Sequence, residues 1–164
     1  MQVDLVRALP SDASTLAQLV QYYIYDLSEL VSKDVGEDGR YAFRSLDAYW
    51  TEAWRHPYLV RVAGHHGGFA LVHQRSRITG DEKTWDIAEF FVMRKYRRLG
   101  VGKTIAIRIF DMFRGDWEVR QLRANTEAIL FWRRTISAYT HGQFKETLMD
   151  DERWRGPVQS FHNG

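Results

Sequence analysis

The stretch Phe90-Phe91-Val92-Met93-Arg94-Lys95-Tyr96-Arg97-Arg98-Leu99-Gly100-Val101-Gly102-Lys103-Thr104 carries an apolar strand into a glycine-spaced turn that opens a helix. The hydrophobic period changes across it. Trp85 to Met93 is rich in aromatic and β-branched residues, as a strand is. From Leu99 the apolar residues Val101, Ile105, Ile109 and Met112, with Ala106, Phe110 and Phe113 beside them, follow helical spacing until Gly115 stops them. Trp117 to Ala124 then predicts another strand, which makes a β-α-β crossover the centre of the fold. Such a turn also attracts anions. The first helical N–H groups lack partners, the helix dipole is positive there, and glycines let phosphate oxygens approach the backbone. Arg94, Lys95, Arg97, Arg98 and Lys103 crowd the same segment, which predicts a local anionic ligand.

The rest of the chain supplies neighbours for this unit. Val3 to Ala8 alternates like a short edge strand. Pro10, Ser11 and Asp12 start a helix, with Ser11 or Asp12 as cap and Leu16, Leu19, Val20, Tyr23, Ile24 and Leu27 as its stripe. Residues 32–44 read as a loop and Leu46 to Trp54 as a short helix, with a boundary at Pro57. Tyr58 to Ala63 and Phe69 to His73 predict strands joined at Gly64–Gly68. Thr126 to Tyr139 predicts a helix, and Phe144 to Met149 and Val158 to Phe161 a closing pair of strands. The order β-α-α-β-β-β-α-β-α-β-β is that of an α/β chain, a mixed (α+β) sheet with helices on both faces. No repeat, low-complexity tract or linker divides the 164 residues, so one domain over 1–164 is expected.

Composition removes several functions. There is no cysteine, hence no disulfide framework, thiolate zinc site or catalytic thiol, which suits a reducing cytoplasm. The 23 basic and 21 acidic residues are too balanced for a nucleic-acid binder. The N-terminus lacks a charged-then-apolar leader, and no apolar run approaches the ~20 residues of a membrane span. A cytoplasmic protein with neither nucleic acid nor membrane as partner is expected.

Two ligands suit the turn. Gly100 to Thr104, Gly-Val-Gly-Lys-Thr, is similar to the end of a Walker A loop, but that motif needs glycine at position 97, where this chain has Arg. The spacing Arg97-x-x-Gly100-x-Gly102 instead resembles the acetyl-CoA pyrophosphate loop of the GNAT superfamily of N-acetyltransferases. Phe91-Val92 before the loop is similar to the end of that family's fourth strand, and Asn125-x-x-Ala128-x-x-Phe131-Trp132 resembles its N-x-x-A-x-x-[LF]-Y element. The element order matches as well. The resemblance implies acetyl-CoA as co-substrate and no metal. It also implies cofactor contacts from Phe91, Val92, Met93, Arg97, Arg98, Leu99, Gly100, Val101, Gly102, Lys103, Thr104, Asn125 and Trp132. Plain packing accounts for a glycine turn too, Phe90 to Val92 are core side chains whose role would lie in their backbone, and Asn125 serves equally as a helix cap.

Acetyl transfer to an amine, as the resemblance implies, needs no protein nucleophile. It needs a route for the ammonium proton, donors for the developing oxyanion and a proton for the leaving thiolate. Asp86 and Glu89 are the candidate bases, and strand alternation places them on opposite faces. Family bases mostly lie an even number of residues before the strand-four valine, which favours Asp86. The string Glu89-Phe90-Phe91-Val92 is similar to polyamine-type acetyltransferases, which favours Glu89. A salt bridge to a neighbouring arginine would explain either. The oxyanion donor would be an amide near Phe91 or Val92. Where the family usually has Tyr this chain has Trp132, whose indole has no proton for a thiolate. Tyr139 lies ~10 Å further along the helix, too far to replace it.

The first two helices and their loop should cover the acceptor. They hold Tyr22, Tyr23, Tyr25, Asp26, Glu29, Asp34, Glu37 and Asp38, which suits a cationic amine and equally a solvated loop face. The expected acceptor is a small-molecule or peptide amine, and a homodimer is compatible with the chain. A second class of function is a coenzyme A-binding module of this fold without turnover, which the tryptophan at position 132 keeps open.

Overall fold

The computed structural model describes residues 1–164. Its strands are β1 (Val3–Arg7), β2 (Arg55–Val62), β3 (His65–Gln74), β4 (Trp85–Val92), β5 (Asp116–Arg120), β6 (Lys145–Asp150) and β7 (Arg155–His162). They form one mixed sheet in the order β1-β2-β3-β4-β5-β7-β6. The α-helices are α1 (Ala13–Val31), α2 (Ala48–Thr51), α3 (Val101–Met112) and α4 (Thr126–Thr140). β1 is an edge strand, as its alternation predicts.

The two sheet faces bury separate cores because strand residues alternate. Leu16, Leu19, Val20 and Ile24 of α1 pack on Leu59, Phe69, Leu71 and Phe91. Ile105, Ile109 and Phe110 of α3 and Trp132 and Ile136 of α4 pack on Val60, Val62, Ala70, Val72 and Ile87. Helices therefore lie on both faces.

Several boundaries move for local reasons. The β2–β3 turn is Ala63–Gly64, both at positive φ, rather than the whole of Gly64–Gly68. Gly67 and Gly68 belong to β3, and a Cβ at Gly68 would stand 2.0 Å from the Phe91 carbonyl oxygen. Pro57 sits inside β2 rather than before it. Its carbonyl accepts from Ala8 N–H at 3.0 Å, so its nitrogen faces the β1 side, where the ladder ends and no donor is lost. The Leu46–Trp54 helix shrinks to the single turn α2. The side chain of Asp12 accepts from Leu9 N–H at 2.8 Å across the 3-10 turn Pro10–Asp12 instead of capping α1.

Two departures from a regular sheet shape the centre. β4 and β5 are parallel neighbours over only Trp85–Trp117 and Asp86–Glu118, and then part. Within β4, Leu71 of β3 pairs with Glu89 while Val72 pairs with Ile87, so Ala88 is an extra, unpaired residue: a β-bulge.

Candidate active site

Beyond Asp86 the β5-facing edge of β4 has no strand partner. Antiparallel ladders spend every second residue on the neighbour, and Met93 N–H donates to Gly67 O at 2.8 Å. That phase gives Phe91 to β3 and turns the amides of Phe90 and Val92 into the gap. The Val92 carbonyl on the same edge accepts from Arg97 Nε at 2.8 Å.

The turn that follows is built to present N–H groups. After the 3-10 turn Arg94–Tyr96, Arg98 (φ 60) and Gly100 (φ 80) adopt left-handed backbone, and the first helical bond runs from Thr104 N–H to Gly100 O at 3.0 Å. The amides of Arg98, Leu99, Gly100, Val101, Gly102 and Lys103 make no turn or cap bond and converge at the positive end of α3. The side chains of Arg98 and Lys103 are exposed beside them. Arg97 is different. Its guanidinium donates to Val92 O and, at 2.6 Å, to Asp26 of α1, which also takes Arg94 at 2.7 Å. These two arginines hold the Asp26 carboxyl below its ordinary value. Arg97 thus braces the turn, and it shares the single carboxylate of Asp26 with Arg94. Gly102 packs closely on α4: a Cβ there would lie 3.1 Å from the Phe131 ring. Leu99 and Thr104 flank the turn, and Val101 is buried in the α3 core.

Across the gap, Asn125 caps α4, its Oδ1 accepting from Ala128 N–H at 3.2 Å. It also lines the central cleft together with Ala128 and Trp132. Trp132 is 5% exposed and sits edge-on to Phe90 with ring centroids 4.9 Å apart. Tyr139 donates to Asp111 at 2.9 Å outside this cleft.

The cleft, ≈ 660 Å³, continues from the gap to the α1 face of the sheet. Here the structure corrects the expectation that Asp86 and Glu89 face opposite ways. Asp86 pairs with His73 and Glu89 with Leu71, two residues apart on β3, so both carboxylates share one face. The bulge at Ala88 is the reason, because one inserted residue reverses the parity of everything after it. Their surroundings differ. Asp86, 1% exposed, is held by Arg120 through Oδ1 at 3.1 Å and Oδ2 at 2.8 Å. Burial raises the Asp86 carboxyl against the pull of this guanidinium. Glu89 has no arginine partner and accepts instead from the hydroxyl of Tyr23. Burial raises the Glu89 carboxyl above its ordinary value, with the Tyr23 hydrogen bond opposing the shift. The Tyr23 phenol is pushed well up by burial and by the Glu89 charge.

Beyond Glu89 lie Tyr49 and His73, whose hydroxyl and Nε2 are 2.7 Å apart. Burial and the Arg55 charge lower His73 to about 3, so the imidazole is neutral. Of the aromatic and acidic residues between Tyr22 and Asp38, only Tyr23 reaches the cleft. The arginine salt bridge that would explain either carboxylate forms at Asp86 alone; sequence reasoning missed which arginine makes it, Arg120, and missed Tyr23 as the partner of Glu89. The first left no local signal. The second had one, because a tyrosine in a buried helical stripe needs a partner for its hydroxyl.

The fold is shared with solved structures of low sequence identity. The solved structure of PaiA N-acetyltransferase from Thermoplasma acidophilum in complex with coenzyme A is similar at 10% identity, with a TM-score of 0.69 over 99% of this chain and 100% of that one. An aminoglycoside acetyltransferase, AAC(6')-Ib, solved with ribostamycin and coenzyme A, is similar at 14% identity and a TM-score of 0.64, over 99% and 94% of the two chains. A spermidine N-acetyltransferase SpeG chimera from Vibrio cholerae follows at 12% identity and a TM-score of 0.58, over 98% and 93%. No curated protein matches the sequence. No helix is long and apolar enough to cross a membrane. The model of the acetyltransferase (GNAT) family matches residues 23–136, from Tyr23 through the strand gap to Ile136, and the chain belongs to that family.

Proposed function

We propose that this protein transfers an acetyl group from acetyl-CoA to a primary amine by direct attack of the amine. The observation that carries the reading is the parted edge of β4, with a cradle of free amides at one end and a half-buried carboxylate without an ion-pair partner at the other. The residues present suit the co-substrate. The amides of Arg98 to Lys103, with the side chains of Arg98 and Lys103, would hold the pyrophosphate. The open edge of β4 and the side-chain NH2 of Asn125 would line the path of the pantetheine arm. When bound, acetyl-CoA supplies the activated thioester.

The chain does the remaining work. Glu89, raised by burial, takes the proton of the acceptor ammonium and so frees the nitrogen lone pair. Tyr23 orients that carboxylate. The amides of Phe90 and Val92 are the donors available to a carbonyl oxygen in the gap. Asp86 and Arg120 form a wall of the same cleft. Phe131 and Trp132 close the α4 side against water.

One observation favours a second reading. The ring of Trp132, where the family usually carries Tyr, has no acidic proton, so a coenzyme A-binding module without turnover is the alternative. Incubation with acetyl-CoA and an amine panel, with free thiol followed over time, separates the two. Amine-dependent thiol release supports the enzyme. Tight coenzyme A binding with no release for any amine supports the module.

A further inference from the structure

The charges around the acceptor half of the cleft are mostly positive. The lining holds Lys33, Arg44, Arg55, Arg75, Arg77 and Arg120 against only Asp86 and Glu89. Arg120 is matched by Asp86, Arg55 by Glu52 at 2.6 Å and Arg75 by Glu82 at 3.0 Å. Lys33, Arg44 and Arg77 take no part in any ion pair or side-chain hydrogen bond, and all three are exposed at the mouth. Their fields reach inward: Arg44 acts on Glu89, His73 and Tyr49, and Arg77 on Asp86. Behind them Trp54 is sandwiched between the guanidinium groups of Arg55 and Arg75, 4.1 and 4.2 Å from its ring. That stack leaves the buried Nε of Arg75 without an acceptor.

One unpaired carboxylate lies inside a ring of unpaired cations. A polyamine would place its second ammonium against Arg44 and Arg77, whereas an acceptor carrying a negative group would neutralise them. The arginine fork matches both carboxylate and phosphate oxygens. Ile24, Leu27 and Phe43 add apolar surface to the same wall.

We infer that the acceptor is an amine that also carries an anionic group, a carboxylate or a phosphate, bound by Arg44 and Arg77 while its nitrogen meets Glu89. The inference rests on the acetyltransferase reading above and narrows its substrate class. It also sets this chain apart from the aminoglycoside and spermidine enzymes whose fold it shares.

The test compares phenylalanine, its phosphonate analogue, phenylalanine methyl ester and spermidine as acceptors at fixed acetyl-CoA and low ionic strength. The acids should exceed the ester and spermidine in kcat/KM by tenfold or more, a difference of ~1.4 kcal/mol. The two acids against each other identify the preferred anion. In the Arg44→Gln, Arg77→Gln variant the preference should collapse, chiefly through KM. Melting of the coenzyme A-saturated protein with each acceptor provides a readout free of turnover, and the acids should again give the larger shift. Use of spermidine or the ester as well as the acids overturns the inference and leaves the acetyltransferase reading standing. Stabilisation by the acids without any acetylation supports the anion site and sinks that reading.

Discussion

The Tyr23 hydroxyl, carried on α1, donates to the Glu89 carboxylate on β4, across a strand interval that ordinary alternation would have given to Asp86. If this pair handles the acceptor's proton, Glu89→Gln should lower kcat/KM by ~10²–10³ and remove the acidic limb of its pH profile. Tyr23→Phe should lose less rate. Because the Tyr23 hydrogen bond lowers the Glu89 carboxyl, its removal should move the acidic limb to higher pH. Steady-state rates across pH for the three proteins check both statements; an unmoved limb in both variants would show that solvent takes the proton.

The same carboxylate should cost stability. Its folded-state value lies above the ordinary one because of burial, so over the interval between the two the folded chain binds more protons than the unfolded chain. Stability from this group is therefore full below the ordinary carboxylate range and is lost as pH rises through the raised value. Glu89→Gln should melt close to the parent near pH 4 and above it at neutral pH. Thermal melts of the two proteins at several pH values measure the widening gap.

Neutralising Asp86 should destabilise the fold, because its partner is a buried guanidinium. With Asp86 at 1% and the Arg120 side chain at 8% exposure, Asp86→Asn leaves a buried guanidinium without its counter-ion, at about 3–5 kcal/mol of stability. Replacing both, Asp86→Asn with Arg120→Met, should recover much of that loss. Denaturant titrations of the single and double variants test the coupling.

Acetyl-CoA at ~100 times its Kd should add ~2.7 kcal/mol to the fold, while Mg-ATP should leave the melting temperature unchanged. Arg98→Gln and Lys103→Gln should each weaken the acetyl-CoA shift and flatten its dependence on salt, since both side chains are free at the α3 terminus. Arg97→Gln should instead loosen the turn and lower the melting temperature of the ligand-free protein, because its partners are Val92 and Asp26.

The parts of this fold legible in the sequence are those that depend on neighbours in the chain. The strand–turn–helix from Phe90 to Thr104 was readable because glycine spacing and the switch of hydrophobic period are local. The α1 stripe announced its buried face for the same reason. The roles of individual charges were not readable. Arg97 has the same charge as Arg98, yet Asp26, far away in the chain, binds only the first of the two. The acids between Asp26 and Asp38 suit a cationic acceptor in sequence, but none of them lines the cleft, where arginines from distant segments stand instead.

The bulge at Ala88 leaves room for change in β4. Ala88 could be exchanged for another small residue with little disturbance. Deleting it would join Ile87 to Glu89 in unbroken alternation, with Asp86 still opposite His73, Glu89 still opposite Leu71 and both carboxylates still on one face. Among descendants of this sequence the two carboxylates can therefore keep their common face in two ways, two residues apart in a regular strand or three apart across a bulge.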